Sequence, residues 1–213
     1  ELGSPETVIS HYLAEMTTRD GRYVDRHPHA PIAGGETFAD QAPETAIGIP
    51  NIDHRYGDQR AEILGVALLN NQGEPVSILK ANDEVVFRIT FRCNKPIGAP
   101  IVGYVMRNHL GLDLAASNTL REGAPLPPTR AAQTLTIDFH LTLPELNPAS
   151  FAFTAAVADG DLDSFVMCDW VDNAIVAEMD KGPLPTYGYL HLPCRVGVNQ
   201  RLRTDTLSEV LHG

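Results

Sequence analysis

A strict alternation of apolar and polar residues near position 90 constrains the fold of this 213-residue chain more than any other feature. Residues 85–92 (VVFRITFR) alternate between an apolar phase that includes Phe87 and Phe91 and a more polar phase that includes Arg88 and Arg92. A period of two is typical of a β-strand with one buried face and one solvated face. This stretch therefore predicts a strand of an antiparallel sheet.

The same pattern of alternating strands and turns recurs along the chain after the Asn71-Gln72-Gly73 turn. Further strands are predicted at residues 100–110, 112–119, 134–142, 151–158, 165–170, 174–179 and 187–198. Gly111 is expected to turn the first two of these into a hairpin. Seven or more strands without an intervening helix predict an all-β fold, an antiparallel β-sandwich of the immunoglobulin-like or jelly-roll kind.

The chain divides into four predicted parts. Residues 1–16 have a capping serine, Ser4, and an apolar stripe at helical spacing, so they predict a short helix. Residues 17–55 lose all periodicity among glycines and prolines and predict a linker. The sandwich follows at residues 56–198, and the tail at 199–213 indicates either a short amphipathic helix or a frayed end. The N-terminal helix packs either on its own domain or on a domain that precedes it in a longer protein.

Net charge and cysteine usage exclude several functional classes. A formal charge of −11 disfavours nucleic acid and anionic membrane surfaces, both of which attract clustered Lys and Arg. No apolar run approaches the roughly 20 residues of a membrane-spanning helix. The three cysteines show no CxxC spacing, which disfavours zinc and thioredoxin chemistry. Free thiols in a reducing, cytoplasmic compartment are expected, and a single disulfide remains an alternative.

Motifs for catalysis and for cofactors or metals are missing from the sequence. It contains no phosphate-binding loop, no nucleophile elbow and no zinc-protease motif. Asp159, Asp161 and Asp163 are spaced like the start of a calcium loop, but Ser164 and Trp170 stand where that loop needs Gly and Glu. We expect an acidic turn, with a calcium site or a glycosidase carboxylate pair as the weaker alternatives.

Binding of a sugar is the better-supported chemistry, because planar polar side chains suit hydroxyl groups and an aromatic ring suits the C–H face. Arg88, Arg92, Asp138 and His140 share the outward phase of two predicted strands. The candidate carbohydrate-binding residues are Arg88, Arg92, Tyr104, Arg107, Asn118, Asp138, His140 and Trp170. For Tyr104 and Trp170, packing in the core is the alternative role.

Several short motifs, in order, point to a known family. They include residues 56–58 (YGD), 60–63 (RAEI), 73–76 (GEPV), 102–107 (VGYVMR) and 117–119 (SNT). Others are Asp169-Trp170, the Gly111 hairpin, and residues 5–9 (PETVI) near the start. With these motifs the chain resembles the C-terminal carbohydrate-binding module of Wzt-type ATPase subunits, which belong to ABC transporters that export O-antigen polysaccharide.

The resemblance implies a non-catalytic module that recognises the O-antigen polysaccharide, through its modified non-reducing end, in the cytoplasm. It implies a location at the inner face of the bacterial inner membrane, through a parent chain that contacts an ATPase domain and a membrane subunit. It also implies a homodimer in which residues 187–198 are exchanged, with the break at 182–185 as hinge. A purely structural module that couples two ATPase subunits is the alternative function.

Overall fold

The computed structural model describes residues 46–198, which form nine β-strands. The strands are β1 (His54–Tyr56), β2 (Ala61–Leu69), β3 (Ile78–Leu79), β4 (Glu84–Cys93), β5 (Pro100–Asn108), β6 (Asp113–Asn118), β7 (Thr134–Thr142), β8 (Ser150–Gly160) and β9 (Phe165–Met179). Within residues 46–198 there is no helix, so none that is long and apolar enough to cross a membrane. The predicted all-β class is confirmed.

Two sheets pack face to face as a sandwich. A six-stranded sheet has the order β1-β9-β8-β5-β6, with β3 joined to β9, and a three-stranded sheet has the order β2-β4-β7. The pairs are antiparallel apart from β3 with β9, which is parallel. The chain therefore crosses repeatedly between the two layers, as the sandwich prediction requires.

The core lies between the inner faces of β4 and β8. Phe87 and Phe91 of β4 are fully buried, as are Phe151 and Phe153 of β8. The rings of Phe87 and Phe153 contact across the sandwich with centroids 5.3 Å apart. Each such side chain contributes about 1.5–3 kcal/mol through burial, so the apolar phase of each strand determines which face turns inward. The inward phase predicted for β4 is confirmed.

Strand β9 is longer than the sequence pattern indicates. The predicted strands at 165–170 and 174–179 are joined into one 15-residue strand. Its pairing with β8 shifts register between Phe153 and Ala155, where Asn173 takes a positive φ of 51°. The backbone N–H of Asn173 donates to Thr154 Oγ1 at 3.0 Å and so keeps the irregularity attached to β8. A bulge of this kind bends the strand and redirects its side chains.

Residues 187–198 do not form the predicted strand, although their alternation suggested one. Within the described chain they make a single bridge, between Leu190 and Leu146, with the His191 N–H donating to the Glu145 carbonyl at 2.9 Å. Strand β9 already has β8 on one side and β1 and β3 on the other. The chain therefore finds no free edge on β9 to return to, and it leaves the sheet.

Part of the predicted linker packs on the sandwich. The Gly48 N–H donates to the Leu64 carbonyl at 2.9 Å, and the Gly48 carbonyl accepts from the Val66 N–H at 3.2 Å. Strand β1, whose first two residues His54 and Arg55 belong to the same predicted linker, pairs with β9. The sandwich layers thus include residues 46–55. The predicted N-terminal helix (1–16), the rest of the linker and the tail (199–213) lie outside the described residues.

Candidate functional site

One row of residues runs across the outer face of the six-stranded sheet. The row is formed by directly opposed residues of five strands: Tyr56, Trp170, Ala156, Gly103 and Asn118. Residues opposed in an antiparallel pair share a face of the sheet. We call this surface the large-sheet face, and the side chains described next all project from it.

An aromatic pair occupies the β1–β9 side of the large-sheet face. Tyr56 and Trp170 are stacked, with ring centroids 5.8 Å apart and planes inclined by 24°. Both side chains are half-buried. Burial, reinforced by the charge of Asp172, raises the pKa of Tyr56 to about 12, so its hydroxyl is protonated at neutral pH. The pair therefore combines apolar ring surface with a neutral hydroxyl group.

Asp172 links this aromatic pair to a charged group. Trp170 Nε1 donates to Asp172 Oδ1 at 2.8 Å, and Arg107 Nη1 lies 3.5 Å from the same oxygen. Arg107 Nε donates to Asp113 Oδ1 at 2.6 Å, and His54 Nδ1 lies 3.9 Å from Asp172 Oδ2. These contacts fix the indole and the guanidinium before a ligand arrives, which lowers the entropic cost of binding.

Small residues form the floor between the aromatic pair and β6. Ala152, Thr154 and Ala156 of β8 alternate with the core residues of that strand, as their predicted outward phase requires. Beside Ala156 lies Gly103, where a Cβ atom would stand 2.9 Å from the Ser117 carbonyl oxygen. Glycine is therefore required there for β6 to approach.

An ion pair between Arg55 and the buried carboxylate of Asp169 positions β1, and with it Tyr56. Arg55 donates through Nε and Nη2 to the two carboxylate oxygens of Asp169, at 3.0 and 2.6 Å. Asp169 Oδ2 also accepts from the backbone N–H of Ile63 at 2.7 Å. The carboxylate thus ties β1 and β9 to β2 of the other sheet. Because Tyr56 follows Arg55, this cluster keeps its ring beside Trp170.

The structure distributes the predicted site residues over separate surfaces. Arg88, Arg92, Asp138 and His140 lie on the outward phase of the three-stranded sheet. Arg88 donates twice to Asp138, at 2.7 Å in each bond, and Arg92 Nη2 donates to Glu62 Oε2 at 2.7 Å. This opposite face of the sandwich therefore includes two cross-strand ion pairs.

The other predicted site residues lie on or beneath the six-stranded sheet. Arg107, Asn118 and Trp170 belong to the large-sheet face. Tyr104 lies between the sheets, where its ring contacts Phe139 with centroids 5.1 Å apart and takes part in core packing. The eight candidates thus do not form one constellation.

Sequence reasoning missed four polar or aromatic residues of the large-sheet face, namely His54, Tyr56, Asp113 and Asp172. Trp170 and Asp172 share a phase on β9, and that spacing was the available signal for Asp172. No local pattern indicates His54 or Tyr56, because these residues reach the site through long-range pairing of β1 with β9.

The acidic turn between β8 and β9 is held by the side chain of Asp161. Asp161 Oδ1 accepts from the backbone N–H groups of Asp163 and Ser164, at 2.9 and 2.7 Å. Among residues 46–198, no three His, Cys, Asp or Glu side chains are grouped to hold a metal ion. Asp161 therefore acts as a turn residue, as expected for this spacing.

The fold and this outer face define an all-β sandwich module with a preorganised aromatic and ion-paired surface. The particular family follows from comparison with known proteins: the chain belongs to the Wzt C-terminal domain family, whose model matches residues 53–192. Membership is consistent with a carbohydrate-binding role in ABC transporters.

One solved structure of this family agrees on the fold. The chain is similar to the crystal structure of the C-terminal domain of Wzt, with a TM-score of 0.63 and 15% identity, covering 72% of this chain and 92% of that one. A Niemann-Pick type C2 protein from the Japanese carpenter ant has a TM-score of 0.39 and 8% identity, covering 60% and 98%. A comparison with curated protein sequences finds no match. At 15% identity the Wzt structure establishes the shared fold and nothing finer.

Proposed function

We propose that the large-sheet face binds the O-antigen polysaccharide, and recognises its modified non-reducing end, before export by an ABC transporter. The supporting observation is the stacked pair of Tyr56 and Trp170 held beside Arg107 by Asp172. Recognition takes place in the cytoplasm, at the inner face of the bacterial inner membrane. There the parent protein joins this module to an ATPase domain and a membrane subunit.

The chemistry of a sugar suits this arrangement. The C–H face of a pyranose ring packs on aromatic surface, and its hydroxyl groups bond to planar polar side chains such as those of Arg107 and Asn118. The opposite face also has an ion pair, between Arg88 and Asp138, so the two faces differ in their aromatic residues and not in their charges. None of the described strands β2, β4 and β7 turns a Trp, Tyr or Phe outward. We therefore assign the glycan to the large-sheet face.

The sequence contains one tryptophan, so intrinsic indole fluorescence reports on Trp170 alone. Titration of the host's own O-polysaccharide is expected to change this fluorescence. Arg107→Ala removes charged donors at the site and is expected to weaken the affinity about tenfold, since 1.4 kcal/mol corresponds to a factor of ten. Arg92→Ala, on the opposite face, is the matched control and should bind normally. Loss of binding in the Arg92 variant alone would move the site to the other sheet.

Recognition of the chain end is tested separately with two glycan preparations. One keeps the terminal modification, and in the other it has been removed chemically while the repeating units stay intact. The first is expected to bind more tightly by calorimetry. Equal affinities would show that the module recognises internal repeats instead.

A second role, coupling two subunits as a dimer, is favoured by the exposed apolar residues of segment 187–198. They include Tyr187, Leu192, Val196 and Val198, each at least three-quarters exposed. We propose that a second copy of the chain covers them by exchange of this segment. Light scattering should then find a dimer, and deletion of residues 187–213 should yield monomers. A deletion variant that remains dimeric would refute the exchange.

A further inference from the structure

A polar cavity of about 380 Å³ lies at the edge of the sandwich, between β1 of the six-stranded sheet and β2 of the three-stranded sheet. Its lining includes Arg55, Tyr56, Gln59, Glu62 and Asn94. We call it the edge pocket. Tyr56 belongs both to this lining and to the stacked pair with Trp170. The edge pocket therefore adjoins the large-sheet face through one shared ring.

The charged residues that line the edge pocket are paired within the chain. Arg55 Nη2 lies 2.6 Å from Oδ2 of Asp169, which is itself a lining residue. Glu62 Oε2 lies 2.7 Å from Arg92 Nη2. An ionic ligand would have to compete with these pairs, whereas a neutral one leaves them intact. The edge pocket therefore favours a neutral ligand.

Two side-chain amides in the edge pocket are available to such a ligand. Gln59 and Asn94 are both exposed. Asn94 Nδ2 donates to the backbone carbonyl of Gln59 at 3.0 Å, which leaves Asn94 Oδ1 as an acceptor. The side-chain amide of Gln59 has no hydrogen-bond partner among residues 46–198. An amide both donates and accepts, as the hydroxyl groups of a sugar do.

The backbone holds Gln59 in an unfavourable conformation. Its φ of 62° lies in the left-handed region, which disfavours long side chains and suits glycine. The Gln59 and Asp58 N–H groups donate to the carbonyls of Cys168 and Met167, at 2.9 and 3.1 Å. A Cβ atom on Gly57 would collide with the same Cys168 carbonyl, so the loop packs closely on β9. Strained positions of this kind cluster where ligands bind, because the surrounding structure fixes them in advance.

We propose that the edge pocket binds one neutral sugar residue of the glycan, with Gln59 and Asn94 bonding to its hydroxyl groups. This proposal rests on the proposed glycan-binding function. Because Tyr56 is shared, the sugar in the edge pocket is the neighbour of the one that stacks on the large-sheet face. The glycan then contacts two subsites, and the second contact increases the overall affinity.

Gln59→Gly is the test variant, because it removes the amide and suits the left-handed backbone. The host's O-polysaccharide is titrated by calorimetry into the full 213-residue chain, unmodified and variant. The variant is expected to lose affinity roughly three- to tenfold, the weight of one neutral hydrogen bond. Its urea midpoint should stay the same or rise. The ratio of the two affinities should not change with salt, since neither bonding partner is charged.

Gln72→Gly is the matched control. It makes the same chemical change at an exposed residue of the turn that follows β2, at the far end of that strand from the edge pocket. Its affinity for the polysaccharide should equal that of the unmodified chain. A loss as large as that of Gln59→Gly would show that the effect is not local, and would refute the edge pocket as a subsite.

The fluorescence of Trp170 separates this proposal from the proposed function. If the polysaccharide changes that fluorescence while Gln59→Gly binds as tightly as the unmodified chain, the edge pocket is refuted and the proposed function stands. If the polysaccharide neither binds nor changes the fluorescence, both proposals fall. Weaker binding together with a lower urea midpoint would show that Gln59 supports the fold instead of contacting sugar. An affinity ratio that shrinks as salt is added would overturn the assignment of a neutral ligand.

Discussion

Replacing Asp169 tests whether its ion pair with Arg55 sets the position of β1. Asp169 is 3% exposed and accepts hydrogen bonds from Arg55 and from the backbone of Ile63. Asp169→Ala would leave the Arg55 guanidinium with only the Ile63 carbonyl as a partner, at 3.1 Å, and would leave the Ile63 N–H group without an acceptor. The loss therefore affects three strands in both sheets.

The magnitude follows from the burial of the two partners. Breaking a fully buried ion pair costs about 3–5 kcal/mol. The Arg55 side chain is 31% exposed, so water compensates part of its lost contact. We therefore expect Asp169→Ala to lower the free energy of unfolding by about 2–4 kcal/mol. Asp169→Asn keeps an acceptor for Ile63 and should lose about half as much.

Urea unfolding at neutral pH, followed by circular dichroism, measures these differences. Glu62→Ala is the control, because it breaks the exposed pair with Arg92 and should cost less than about 1 kcal/mol. The Asp169→Ala variant should also bind glycan more weakly, since Tyr56 loses its anchor beside Trp170. Equal losses of stability in the Asp169→Ala and Glu62→Ala variants would refute the reasoning.

Three further outcomes are expected. The pKa of Tyr56 in the folded chain is about 12, above its ordinary value near 10, so the stability that the neutral Tyr56 hydroxyl contributes should be complete below pH ~10 and should be lost as the pH rises toward 12. The difference in phenolate absorbance between the unmodified chain and Tyr56→Phe measures this titration, and ionisation of Tyr56 at about pH 10 would contradict the prediction. A thiol reagent at pH 8 should modify Cys194 first, because Cys194 is exposed whereas Cys93 and Cys168 are buried, and burial raises the pKa of the Cys168 thiol to about 12. If the Cys194→Ser variant were still labelled rapidly, the burial of the other two thiols would be contradicted. Gly103→Val should lower the free energy of unfolding by roughly 1–3 kcal/mol through collision with β6, and a neutral effect in urea would show that the close approach is absent.

Local sequence pattern predicts the inward faces well. In β4 and β8 the phenylalanines are flanked by smaller or more polar residues, and these buried phenylalanines are those of the predicted inward phase. This succeeds because the alternation of side chains is a property of the strand itself. The same reasoning fails for residues 187–198, where alternation is present but a free edge on β9 is not. A strand needs a partner, and its own residues do not specify one.

The candidate site shows the same division. Sequence alone identifies an all-β sandwich, its family and the outward phase that contains Arg88 and Asp138. Tertiary structure decides that these two neutralise each other across β4 and β7, and that Trp170 meets Tyr56 on the other sheet. The physical reason is that binding chemistry depends on which strands are neighbours and in what register. Those pairings join residues far apart in the chain, and the alternation of a single strand does not encode them.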